Sequence, residues 1–579
     1  MKKLKIVVAC IICLLLLGAC SLSNANIIMT ADQLSTLSNS NSRYRLGADI
    51  DLSEFTNWTP INGFTGTFDG NGHTISNLQI DTLSVIGTGL FGEINGGAVI
   101  NLNFANVQIN AGFAGAVAGK STNTRLENIN VLSGTIGRNL SRNIGGIVGE
   151  RMGGISNNLT NYADVFGTEY VGGLFGFAGI PVSSDNAFQN YFNNGNITGG
   201  NNVGGIAGSI QSRVVGRIYN LTNTGTITGN SNVGGIAGYS YGVQQDFTSR
   251  QSTFLNLVNT GIILGNGDNI GGIFGEVKNG RRFHGVGGDG WRNHSIVLLN
   301  AENNADVTGR HFVGGIIGNG GGVLPTNLEG FLNENTITGV SNVGGIAGIA
   351  GSITGCENRG RVIATGANSL GFANLGGIAG EATNITNSQN IAEINHSSEG
   401  DNIGGVVGLL TGGNPSGLFN TGNINAPNSN NVGGIVGRID WDSSERSFQS
   451  SENSGNIISF GNVGGLVGKI TVSSPIVVNN RTTVLSNLTN SGFIYGTGLN
   501  VGGVVGMAQG SQAAATRWHA ISFIHNNNSG NITGSNWVGG IVGRIADPVN
   551  RVIRNEENNS IGIKTSTNGE NKHVLFPLI

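Results

Sequence analysis

Charge is what this chain has least of. Asp, Glu, Lys and Arg make up 11% of its 579 residues, and the formal net charge is -3. No phosphate-neutralising basic face can be built from that, so nucleic acid is excluded as a partner. Proline, at 8 residues, is too scarce for collagen or a Pro-rich linker. There are 4 cysteines; Cys10, Cys13 and Cys20 crowd the N-terminus and leave Cys356 alone. Once the N-terminal segment is removed, no intramolecular disulfide can form, and Cys356 reads as a small buried apolar residue. None of the 8 histidines stands in His-Glu-x-x-His, so the zinc and general-base geometry of that motif is absent. The Asp of the Gly-Gly-x-Gly-x-Asp calcium repeat is missing too. No metal or cofactor is expected. Low charge combined with 38% hydrophobic residues also excludes disorder as the general state.

Glycine is abundant, at 100 residues, and it is organised. A phrase of the form V-G-G-I-A-G begins at Ile144, Val171, Val203, Val233, Ile270, Val313, Val343, Leu375, Ile403, Val432, Val463, Val501 and Val538. Degenerate copies begin at Ile86 and Phe113. Between copies stands N-x-G-x-I, clearest from Asn193, Asn223, Asn259, Asn420, Asn453, Asn490 and Asn528 and looser from Asn161, Asn303, Asn333, Asn358 and Asn390. A further Asn often lies three residues earlier, as at Asn158, Asn220, Asn256, Asn300, Asn387 and Asn487. From the first Asn of N-x-G-x-I to the next V-G-G the chain runs ten to thirteen residues, except for seventeen from Asn358 to Leu375. From V-G-G to the next Asn it runs fifteen to thirty-three. One half of the unit is rigid and the other accepts insertions, which maps the insertions to one side of a stack.

Regular segments are short, rich in Ile and Val, and punctuated by Gly and Asn, which predicts strands and tight turns. Gly and Asn are expected to supply the positive-φ corners. The first and fourth residues of V-G-G-I-A-G have opposite parity in a straight strand, so a bend at the Gly pair is needed to turn both inward. The fifth residue is also apolar (Val148, Phe175, Ala207, Phe274, Ile317, Val436). It is expected outside, covered by the long loops or offered to a partner. A unit of about 27–30 residues with about three strands is one coil of a parallel β-helix. The fold class is therefore all-β: a single right-handed parallel β-helix (solenoid) of about 15 coils, roughly 70 Å long, with a small N-terminal cap. Asn ladders are expected at its corners.

The N-terminus reads as a targeting segment. Lys2, Lys3 and Lys5 precede an apolar run over 6–17, too short to span a membrane. Leu17-Gly18-Ala19-Cys20 resembles the lipobox of bacterial lipoproteins, in which Cys20 is lipidated. Residues 1–19 are then a signal peptide and 20–27 a tether. Residues 28–80 form the cap, with a short helix over 30–37 and a hairpin over 64–80. The repeat fills 81–545, and 546–579 is a terminal cover or tail. The chain is expected to be extracytoplasmic, monomeric, and held to the bacterial envelope by its acyl chains, on the outer surface.

The recurring VGG[IL][AVF]G resembles the GLUG motif of bacterial surface proteins. Residues 44–78, YRLGADIDLSEFTNWTPINGFTGTFDGNGHTISNL, are similar to the region that precedes such repeats. The likeness spans about 28–545. It implies a right-handed parallel β-helix at the cell surface, of the kind found in adhesins and beside the catalytic part of secreted immunoglobulin A metalloproteases.

The insertions carry the candidate ligand-binding residues. Residues 239–254, with Tyr239 and Tyr241, and 276–295, with Arg281, Arg282, His284, Asp289, Trp291, Arg292 and His294, fall in successive coils and should protrude side by side. A second group holds Asp440, Trp441, Asp442, Arg446, Arg517, Trp518 and His519. Trp and Arg are the usual anchors of protein and glycan interfaces. The expected function is adhesion or ligand display without catalysis, toward an extracellular protein or glycan. A polysaccharide lyase or hydrolase is the alternative, with Asp440 and Asp442, which at i,i+2 could share a face, or Asp289 as its carboxylates. A structural spacer whose loops only cover the outer apolar ladder is the third reading.

Overall fold

In the computed structural model, residues 25–37, 41–83, 87–180, 188–213, 216–243, 249–284, 290–322, 326–366, 373–442, 444–472, 481–509, 511–514, 517–546, 555–556, 559–560 and 563–565 are described. They form a parallel β-helix whose coils carry four strands where the sequence suggested about three. One coil shows the plan. Arg142–Gly145 ends on the first two residues of the phrase, Ile144 and Gly145, and forms the first wall, Val148–Met152 the second, Ser156–Asn161 the third and Asp164–Phe166 the fourth. Glu169–Gly172 then begins the next coil on top of Arg142–Gly145. The first wall stacks 13 strands and the fourth 16.

Registry is strict, and each inward position becomes a column. Ile144 sits on Val171, Val203 and Val233. Val165 sits on Ile197, Ile227 and Ile263. All are buried in one continuous core. Strands of this length bury little alone and become stable only with a neighbour on each side.

The fifth residue of the phrase departs from expectation. Val148, Phe175, Ala207 and Phe274 are fully buried and point inward. Phe175 meets Phe188 and Tyr191 of the third wall, with ring centroids 5.7 Å apart in each case, and Phe274 meets Phe254 at 5.3 Å. The bend falls at Gly146 and Ile147, so a new strand starts at the fifth residue and the alternation resets. These residues neither await a loop nor face a partner.

The phrase glycines are also there for a different reason. None has positive φ. They are required by close approach. A Cβ on Gly204 would lie 2.1 Å from the Ala207 carbonyl oxygen, and one on Gly205 2.1 Å from that of Gly235. One on Gly208, the last residue of the phrase, would lie 2.4 Å from the Val171 amide nitrogen.

Asn fills three ladders. The N-x-G-x-I asparagines stand inside the rod. From Asn161 through Asn193, Asn223, Asn259 and Asn303, and again from Asn333 to Asn528, each Nδ2 donates to the Oδ1 of the next at 2.7–2.9 Å. The same nitrogen donates to a carbonyl two residues on, as Asn223 does to Gly225. The Asn three residues earlier has positive φ, at Asn158, Asn220, Asn256, Asn300, Asn387 and Asn487. A third ladder, just before the V of V-G-G, includes Asn202, Asn232 and Asn269.

Parallel pairing begins before the repeat is visible in the sequence. Asn26–Ile28 pairs with Arg43–Leu46, which pairs with Thr67–Asp69. The segment read as a hairpin is not one. Thr67–Asp69 and Thr74–Ser76 both pair in parallel with Ala98–Ala105, and Asn71 and Gly72 turn a coil corner at positive φ. The helix α1, Ala31–Ser35, has Thr30 as N-cap; the Thr30 hydroxyl accepts from the Gln33 amide while Gln33 Oε1 accepts from the Met29 amide. Its Leu34 is buried in the core. At the other end, Asn555–Glu556, Asn559–Ser560 and Ile563–Thr565 continue the parallel stack. No helix among the described residues is long and apolar enough to cross a membrane.

Candidate functional site

The long insertions leave the second wall and return along the third; the longer spacer between Asn358 and Leu375 instead follows the fourth-wall strand Val362–Ala364. Where insertions are long, the third-wall strands lengthen: Gly216–Asn223, Arg250–Asn259 and Gly290–Asn303 lie side by side, with Arg250 opposite His294. A second overhang is formed by Ser447–Asn453, Arg481–Asn490 and Arg517–Ile524. Each group ends in a hairpin. Gly280–His284 folds back antiparallel on Gly290–Asn303, pairing Arg282 with Arg292 and Phe283 with Trp291. Ser511–Ala514 folds back on Arg517–Ile524, with Trp518 opposite Gln512. His294 pairs with Arg250 on one edge and Gly280 on the other, so the first hairpin closes an edge with which the next coil, among the described residues, pairs only at Asn303. Closing an open edge prevents unwanted strand addition.

The sequence candidates divide accordingly. Arg281, Arg282, His284, Trp291 and Arg292 share the first hairpin, and Arg517, Trp518 and His519 the second. Asp289 and Cys20 lie outside the described residues.

Two candidates are not on the surface. Trp441 is buried, and its indole nitrogen donates to the Gly412 carbonyl at 3.0 Å. The strand Val436–Trp441 runs through it, so alternation turns Trp441 in while Asp440 faces out. His294 is buried for the same reason. Its Nε2 lies 2.7 Å from Ser252 Oγ, which lies 2.5 Å from Ser212 Oγ, and its Nδ1 lies 3.2 Å from the Val243 carbonyl oxygen. The carbonyl needs an Nδ1–H, and Nε2 meets a hydroxyl that can either donate or accept, so it is burial that favours the neutral ring.

Burial lowers the His294 pKa, and it lowers that of His396 in the same way. His396 is held between the Gly366 carbonyl and Ser429 Oγ. An unfolded chain takes up these protons as pH falls below about 6.5, while the folded chain resists, so stability is full above that pH and declines below it. The melting temperature is expected to fall between pH 7.5 and 5.5, and the decline should flatten in the His294→Asn, His396→Asn double variant. An equal decline in both proteins would contradict the assignment.

The remaining acidic candidates are engaged. Arg438 grips Asp440 with Nε and Nη2, both at 2.8 Å. The Ser444 amide, together with Arg446, holds the Asp442 carboxyl below the usual range. Such a group stays ionised and is a poor proton donor at neutral pH. Tyr239 and Tyr241 do come together. Their rings stack at 5.1 Å, Lys278 Nζ lies 5.4 Å from the Tyr239 centroid, and Gln211 donates to the Tyr241 hydroxyl at 2.7 Å. Burial raises both phenol pKa values. Cys356 is buried and its thiol is pushed up to about 11. Among the described residues, no three His, Cys, Asp or Glu side chains gather as a metal site.

Sequence reasoning passed over the fourth wall. There Phe493 and Tyr495 are exposed and stacked, with centroids 6.5 Å apart. The signal was present: N-S-G-F-I-Y puts two rings where other copies carry Asn and Thr.

No family model matches the chain. A stretch of 126 residues is 37% identical to halomucin of Haloquadratum walsbyi (strain DSM 16790 / HBSQ001). That stretch spans 19% of this chain and 1% of halomucin. A crystal structure of an IgA1 protease-like protein from Bacteroides ovatus, solved at 1.30 Å, aligns over 49% of this chain and 75% of that one, with 22% identity and a TM-score of 0.30.

Proposed function

We propose that this protein is a surface repeat rod of the GLUG type, lipid-anchored at Cys20 outside the cytoplasm, which displays binding surfaces for an extracellular protein or glycan and performs no chemistry of its own. The N-terminal pattern around Cys20 supports the anchor, and the likeness to halomucin, named as a mucin, agrees with an exterior location. The observation that carries the reading is segregation: fixed-length chain builds the rigid walls, while both hairpins arise on the insertion side. A rigid scaffold that positions variable segments is the common architecture of recognition proteins.

The test removes residues 281–293 and joins Gly280 to His294. Circular dichroism first establishes that the rod is folded. Adhesion to host cells, matrix proteins and a glycan array is then expected to fall at least tenfold. Undiminished adhesion by the folded variant would remove this hairpin from the binding surface.

A further inference from the structure

The two long hairpins arise away from the fourth wall, yet near its C-terminal end that wall carries a cluster of exposed rings in a chain with 6% aromatic residues. Ile458, Phe460, Phe493 and Tyr495 are 39–48% exposed. Tyr495 pairs in register with Ile458 on one side and Thr533 on the other. Phe493 and Tyr495 flank the inward Ile494 and stack with 24° between their planes. Trp537, 37% exposed, is not part of this face: it stands at the corner before the first-wall strand Val538–Gly539, with the Arg544 guanidinium carbon 5.8 Å from its ring centroid.

These rings replace residues that would stabilise the stack. The position of Phe493 is Asn in the two preceding rungs, where Asn423 Oδ1 accepts from the Asn456 amide and Asn456 Oδ1 from the Phe493 amide. Trp537 stands where Asn431, Asn462 and Asn500 form an amide ladder, and it keeps a positive φ of 33°. Phe493 and Tyr495, exposed and stacked on one another on a strand face, cost solubility, so their presence calls for a ligand. The setting defines its chemistry. Residues 420–437, 453–468, 490–516 and 528–543 contain no Asp, Glu, Lys or Arg. Phe493 and Tyr495 thus stand among amides and hydroxyls on a flat wall with rungs about 4.8 Å apart. A neutral polysaccharide presents the matching surface: apolar C–H faces to lie on rings and hydroxyls to meet Asn, Ser and Thr.

We infer that the fourth-wall rungs around Ile457–Ser459 and Ile494–Gly496, with Phe460, Phe493 and Tyr495, are a glycan-binding face for uncharged polysaccharide chains, separate from the hairpins. The test uses the full chain purified in detergent, with affinity electrophoresis in gels containing a soluble glucan, mannan or galactan. At least one is expected to retard the protein, and the Phe493→Ala, Tyr495→Ala double variant should weaken that retardation at least tenfold. Both side chains are exposed, so the fold is expected to persist, as an unchanged melting temperature would show. The variant lacking 281–293 should be retarded like wild type, which separates this face from hairpin-mediated adhesion. Retardation by none of the three, or equal retardation of the double variant, overturns the inference. So does sedimentation showing that the double variant dissolves a self-association, because the face is then an interface between copies.

Discussion

Asn223→Ala should destabilise the rod by about 3 kcal/mol or more. Asn223 is fully buried, accepts from Asn193, and donates to both Asn259 and the Gly225 carbonyl. Truncation leaves three buried polar groups without partners, each costing about 1–3 kcal/mol. The isosteric Asn223→Asp is the sharper variant. A carboxylate at that position keeps one donor, Asn193, and is turned toward two acceptors. It should be at least as damaging at neutral pH. Its folded-state pKa is raised by this environment, so its stability relative to wild type should improve as pH falls and the acid recovers a proton to donate. Urea melts of the three proteins at pH 7.5 and 5 measure both effects. If Asn223→Asp matched wild type at pH 7.5, the interior ladder would not be a source of stability.

Gly208→Ala is expected to be comparably severe, at about 3 kcal/mol or loss of folding. The new methyl would lie 2.4 Å from the Val171 nitrogen and 2.5 Å from the Tyr170 carbonyl carbon, both backbone atoms of the preceding coil. Neither can move without breaking registry in a stack paired on both sides. Gly179→Ala is the matched control, because its nearest neighbour is Met152 Sδ at 3.0 Å, on a side chain that can swing away. Urea midpoints for the two variants should differ widely. Similar midpoints would mean that the phrase glycines are not packing residues.

The spacing of V-G-G and N-x-G-x-I made the stacked architecture legible before any coordinates, along with the side on which insertions leave. Those features depend on periodicity, which a sequence displays directly. What was misread depends on where the alternation restarts. The bend at Gly146 and Ile147 sends Val148 inward, where a continuous strand would have sent it out. Trp441 and His294 looked like loop anchors until the strands were seen to run through them. The parallel pairing of Thr67–Asp69 was hidden because two adjacent turn pairs, Asp69-Gly70 and Asn71-Gly72, suit a hairpin as well as a coil corner. The fourth-wall rings went unremarked because they occupy ordinary repeat positions, and only exposure distinguishes Phe493 from a core residue.

The central claim is that each coil is an interchangeable rung, stable through its neighbours. Deleting residues 194–223 removes one full turn, from just after one ladder Asn to the next. It should bring Ala237 onto Phe175, where Ala207 now sits, and Ile227 onto Val165, where Ile197 now sits. Asn193 should then donate to Asn259. Urea denaturation followed by far-ultraviolet circular dichroism should give a folded protein with a midpoint near that of wild type. Deletion of 194–208, half a turn, should abolish cooperative unfolding. If the full-turn deletion unfolds as readily as the half-turn deletion, the rungs are not equivalent and the account is wrong.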